Sequence, residues 1–160
     1  MKKTIFFLGI SIAVLTFSCK DEMSNEPFEN GSATIRGTAL VDTDLSNNVD
    51  GIVVNEYVPQ GVRIYAEINS ADLVQFPEVG VDYGTILIDT TIGTNGSFTL
   101  VVPANMKTVD VSFYADDFRA DQVQYDYSVE SKIFSLPTYT YSEKVYDGVI
   151  RITELIFYEK

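Results

Sequence analysis

Histidine and tryptophan are absent from the 160 residues, and cysteine occurs once. Without histidine, Ser-His-Asp and Cys-His catalytic arrangements cannot form, and the commonest metal ligand is missing. A single cysteine excludes an internal disulfide and any thiolate metal cluster. Basic residues are scarce: 11 Lys+Arg face 23 Asp+Glu, for a net charge of −12. Nucleic-acid affinity comes mainly from Lys and Arg neutralising phosphates, so nucleic acid is not an expected partner. No Gly-rich phosphate loop follows a strand-like segment. The length suits one domain and is too short for two of typical size.

The amino terminus carries the most specific signal. Lys2 and Lys3 form a basic start, and residues 4–17 are apolar apart from Thr4, Gly9, Ser11 and Thr16. That run is shorter than the roughly 20 residues a spanning helix needs, and it ends at the small residue Ser18, directly before Cys19. This is the pattern of a signal peptide over residues 1–18. Leu15-Thr16-Phe17-Ser18-Cys19 resembles the bacterial lipoprotein processing site. The resemblance implies cleavage before Cys19, acylation of its thiol and an outer-membrane lipid as partner. The competing reading is an ordinary secreted protein in which Cys19 stays a free thiol. Lys20, Asp21 and Glu22 follow, and Cys-Lys-Asp-Glu resembles the surface-export signal of lipoproteins from the Bacteroidetes group of Gram-negative bacteria. That resemblance implies a protein facing the cell exterior; otherwise the triplet simply begins a solvated tether.

Residues 19–31 comprise this cysteine and a flexible acidic tether without apolar periodicity. The domain spans 32–160, and there alternation with period two recurs while a sustained 3.6-residue pattern does not. Strands are expected over 35–41, 62–68, 86–92, 98–102, 109–113, 123–129 and 149–158, with a short one over 133–136. Seven or eight strands, each with one apolar face, are best buried as a single antiparallel β-sandwich, an all-β fold. Asn95-Gly96 suits the positive φ angles of a tight turn, so the strands on either side are expected to form a hairpin. Ser70 is expected to cap one short helical turn near 71–76, which Pro77 stops.

Ile35-Arg36-Gly37-Thr38-Ala39, Gly61-Val62-Arg63-Ile64-Tyr65 and the run Thr94 to Pro103 together resemble the carboxypeptidase-regulatory or transthyretin-like β-sandwich module, over about residues 33–158. The connections 42–60 and 69–84 are longer than that family usually has. Specific function is expected to sit there.

Three candidate sites follow. Asp42, Asp44, Ser46, Asn48 and Asp50 place oxygens at alternate positions, as a calcium loop does. Asn47 stands where that loop needs Gly and Val53 where it needs a closing Glu, so a polar solvated loop is the plainer account. Tyr139 and Tyr141, after Pro137, are expected to be exposed and could contact a glycan or protein, whereas Tyr125 and Tyr127 share a face with Val123 and Val129 and are expected in the core. Asp116, Asp117 and Asp121 are expected in one turn, where paired carboxylates could support glycoside hydrolysis, though a charged turn explains them equally. The composition therefore implies no enzyme and no resident cofactor other than this candidate calcium. Together with the resemblance of residues 15–22 to a lipoprotein processing and export signal and the sandwich pattern, this favours a lipid-anchored surface binding or assembly module. The alternatives are a structural subunit of a surface assembly and a carboxylate-based glycosidase.

Overall fold

The computed structural model describes residues 31–138 and 141–160. Ten strands run through them: β1 Gly31–Val41, β2 Glu56–Tyr57, β3 Arg63–Asn69, β4 Thr85–Thr91, β5 Ser97–Ala104, β6 Val109–Ala115, β7 Phe118–Val123, β8 Val129–Ser135, β9 Ser142–Val145 and β10 Ile150–Glu159. They form two sheets. In the first, β1 has β5 and then β2 along one edge and β10 along the other, and β10 leads on to β8 and β7; the second runs β4-β3-β6-β9. The signal peptide, Cys19, the export-like triplet and the tether lie outside the described residues.

Alternation drives the packing. Ala33, Ile35, Ala39 and Val41 of β1, Phe98, Leu100 and Val102 of β5, and Leu155 and Phe157 of β10 are buried. So are Ile64, Ala66 and Ile68 of β3 and Val109, Val111 and Phe113 of β6. Each strand thus turns one face into a common core and the other to water, as a two-sheet domain requires. Gly37 leaves room for a ring: a Cβ there would lie 2.1 Å from Phe98 Cζ and 2.9 Å from the Thr153 carbonyl.

The all-β, two-sheet expectation holds, with four corrections. There are ten strands, not seven or eight, because β2, β7 and β9 are too short or too polar to show apolar alternation. The architecture is not wholly antiparallel: β1 and β10, the first and last strands, pair in parallel from Thr34↔Ile150 to Val41↔Phe157. Asn95-Gly96 makes the expected turn, with φ of 57° and 67°, but β4 pairs with β3 and β5 with β1, so the turn carries the chain from one sheet to the other instead of closing a hairpin. The helical turn is a 3₁₀ turn over Ser70–Leu73, capped by the Asn69 carboxamide, which accepts from Ala71 N at 3.0 Å. It stops before Pro77 is reached.

The strand directions give the domain two ends. Gly31, Ala104 and the 70–84 connection lie at the base; Val41, the 42–57 loop and the β7–β8 hairpin lie at the tip. The eleven residues of β1, Gly31–Val41, rise about 3.3 Å from each to the next and so separate the two ends by roughly 33 Å.

Replacing Gly37 with Ala is expected to lower stability by about 1–3 kcal/mol through overpacking, measured by urea denaturation. Phe98→Leu in the same chain should recover part of that loss, since the clash is with the ring.

Candidate functional site

At the tip the chain leaves Val41 and forms a loop that holds itself together by side-chain hydrogen bonds. Asp44 Oδ1 accepts from Ser46 N at 3.1 Å and Ser46 Oγ at 2.5 Å, capping a 3₁₀ turn over Leu45–Asn47. Glu56 spans the loop: Thr43 N and Oγ1 donate to its Oε2 at 2.8 and 3.1 Å, and Asn47 Nδ2 to its Oε1 at 3.0 Å. Asn48 donates to Asp42 Oδ2 at 2.8 Å and accepts from Val54 N at 2.9 Å. Asp50 and Gly51 take left-handed φ angles of 53° and 80° and turn the outer part of the loop back.

The β7–β8 hairpin packs against this loop. Val123 N donates to the Thr43 carbonyl at 2.9 Å, and Gln122, only 3% exposed, donates to the Asp42 carbonyl at 2.9 Å. The hairpin's root is a group of three rings, with Phe118 5.5 Å from both Phe134 and Phe157. Its turn is closed by Gln124 N to Ser128 O at 2.8 Å and Tyr127 N to Gln124 O at 2.9 Å. Asp126 accepts from the hydroxyl and the amide of Ser128, and these bonds hold its carboxyl below the usual range.

The candidate residues fall out as follows. The alternate oxygens of the loop are engaged with one another: Asp44 and Ser46 form a cap, Asn48 and Asp42 a pair, and Asp50 lies exposed. Asp42 Oδ1 and Asn47 Oδ1 are buried without a protein donor. These are the loop's two uncommitted buried oxygens, against the six to eight that calcium takes. Among the described residues no group of three or more Asp, Glu, Cys or His converges as a metal would require.

The tyrosines exchange their expected places. Tyr125 and Tyr127 are 70% and 76% exposed, because residues 124–128 are a turn and not the middle of a strand. Tyr127 holds φ of 65°, a left-handed conformation that costs a bulky residue about 1 kcal/mol or more. Tyr141 packs against the core, accepts from Ile156 N at 3.1 Å and sits 3.4 Å from the Ile156 carbonyl. Burial pushes its hydroxyl pKa upward, against the lowering by the Ile156 bond. Tyr139 lies outside the described residues. The Asp116, Asp117 and Asp121 turn is also corrected: Tyr65 donates to Asp116, Lys160 pairs with Asp117 at 2.7 Å, and Asp121 lies on β7 opposite Ser131. Sequence reasoning missed the apolar rim of the tip, where Val49, Ile52, Val53 and Val54 are exposed beside the polar loop. The unbroken run Ile52-Val53-Val54 inside a turn-rich segment was the available signal.

No protein-family model matches the chain, and no curated protein sequence does. Among solved structures, the shaft pilin SpaA from Lactobacillus rhamnosus GG is similar over 82% of this chain and 50% of its own, at 13% identity and a TM-score of 0.45. Two variants of that pilin give a TM-score of 0.39 at 14% identity. The chain spans about half the length of these structures, and at such scores the likeness assigns neither family nor function. What the fold itself defines is a two-sheet all-β domain with a braced polar loop and a projecting hairpin at one end. Among the described residues no helix is long and apolar enough to cross a membrane.

Tyr141→Phe is expected to lower stability at neutral pH by about 0.5–1.5 kcal/mol, the net worth of one hydrogen bond. Because the folded state raises the Tyr141 pKa, its proton contributes stability that is present below the ordinary value of 10.0 and lost as pH rises through the folded value. The Phe variant should therefore show a shallower alkaline loss of stability than the parent.

Proposed function

We propose that this protein is a non-catalytic, lipid-anchored module of a Gram-negative cell surface that contacts a partner protein through its tip. The carrying observation is Tyr127, which stands exposed on a turn whose backbone it strains. Glycine would occupy that position more comfortably. A residue that weakens its own fold while presenting a large ring to solvent is explained by a contact made there.

Its surroundings favour a protein over a glycan. Exposed Val49, Ile52, Val53 and Val54 offer aliphatic surface at the same end of the domain as Tyr125 and Tyr127, the mixture that fills protein interfaces, while the chain has no tryptophan to act as a sugar platform. Anchoring rests on Cys19 at the end of the signal-like run, and the outward orientation on Lys20, Asp21 and Glu22 after it. The chain enters the domain at Gly31, at the end opposite the tip, so an anchor at Cys19 leaves the tip free to face a neighbour.

Tyr127→Gly is expected to leave stability unchanged or raise it by up to about 1 kcal/mol, read by urea denaturation. In intact cells producing the full chain, a photo-crosslinking side chain at residue 127 should give a discrete higher-mass adduct, and one at Thr99 should not. Equal adduct patterns at the two positions, or none at either, would contradict a contact at the tip.

A further inference from the structure

A second set of exposed apolar side chains lies at the base. Phe76 is 75% exposed, Met106 85%, and Val79 fully so. They do not hang on loose chain. Asn105, 3% exposed, fastens the base: its carboxamide donates to the Asp72 carbonyl at 3.1 Å and accepts from Lys107 N at 2.7 Å, and its own carbonyl accepts from Asp147 N at 2.8 Å. Asp147 in turn accepts from Ser32 N at 2.9 Å. Lys107 Nζ donates to the Gln75 carbonyl and lies 5.7 Å from the centre of the Phe76 ring. The outer loop is closed by the Tyr83 hydroxyl, which accepts from Glu78 N at 2.8 Å, and by Ser70 Oγ donating to the Tyr83 carbonyl. The 70–84 connection, the β5–β6 turn, the β9–β10 turn and the start of β1 thus form one platform.

The place where the chain enters this platform identifies what faces it. Gly31 pairs with Ala104, the residue before Asn105 and Met106, so the tether joins the domain beside the exposed side chains. Eleven residues separate Cys19 from Gly31, and a flexible chain of that length has a root-mean-square span of roughly 18 Å. A lipid on Cys19 would hold the platform at about that distance from the bilayer on average, where a contact too weak to recruit a free protein is made effective by high local concentration. We infer that the base rests on the lipid surface, with Phe76, Val79 and Met106 dipping into the interface while Lys107 stays at head-group level.

This inference rests on the proposed acylation of Cys19. The contact is apolar. Glu78 and Asp82 flank the loop, so it suits zwitterionic lipid, tolerates salt and weakens as anionic lipid is added.

The test uses the acylated full chain in phosphatidylethanolamine–phosphatidylcholine vesicles, with Val79→Cys carrying an environment-sensitive fluorophore and Ile52→Cys as the comparison at the tip. Both positions are exposed, so neither change threatens folding. The expected result is that the probe at 79 is quenched by spin-labelled lipid and shielded several-fold from aqueous iodide, while the probe at 52 behaves oppositely. Mass spectrometry of the amino-terminal peptide separates the failures. An unacylated Cys19 overturns the anchor and this inference with it, whereas an acylated chain with residue 79 as open to iodide as residue 52 overturns the inference alone. Shielding in native membranes but not in pure lipid also overturns it, and assigns the platform to a protein.

Discussion

Everything at the tip depends on the parallel pairing of β1 with β10. Eight residue pairs, Thr34↔Ile150 to Val41↔Phe157, join the first and last strands and bury Leu155 and Phe157 against the core. β8 joins the sheet at the far end of β10, where Tyr158 pairs with Ser135 and Glu159 with Phe134, and β7 joins through β8 and through its bonds to Asp42 and Thr43. The hairpin that carries Tyr125 and Tyr127 is therefore held by the last residues of β10 on one side and by the segment just after β1 on the other. The three rings of Phe118, Phe134 and Phe157 stiffen that joint.

The two ends are built on one plan from different residues. Among the described residues two polar side chains are buried, Gln122 at the tip and Asn105 at the base. Each donates to a backbone carbonyl of a long connection, Asp42 for Gln122 and Asp72 for Asn105. A buried amide that loses its partner is destabilising by about 1–3 kcal/mol, so each holds its connection in one conformation. Rigid loops, in turn, can leave apolar side chains in water without collapsing onto them. The sandwich between the ends acts as a spacer of roughly 33 Å.

How legible this was in the sequence depended on range. The core strands β1, β3, β5, β6 and β10 were readable because each alternates and each buries one face. β7 and β9 were not: Phe118-Arg119-Ala120-Asp121-Gln122-Val123 and Ser142-Glu143-Lys144-Val145 are polar, and pairing makes them strands, β7 with the adjacent β8 in a hairpin and β9 with β6, some thirty residues earlier. The run from Val123 to Val129 alternates as a strand should, yet Tyr127 turns left-handed, since Asp126 and Ser128 favour a local turn over the ladder. That one turn moved two tyrosines from core to surface. Tyr141 went the other way, because the backbone N–H it accepts from belongs to Ile156, fifteen residues on. Of the candidate site, the position of the loop was legible and its internal use of oxygens was not.

The proposed stance is upright, base toward lipid and tip away from it. It is tested most directly by energy transfer from head-group-labelled lipid to a probe at residue 127, compared with a probe at residue 79, in vesicle-bound acylated protein. The account predicts that residue 127 stands farther from the surface by at least about 30 Å, the length of β1. Equal transfer from the two positions would mean that the domain lies on its side or tumbles freely, and would contradict it.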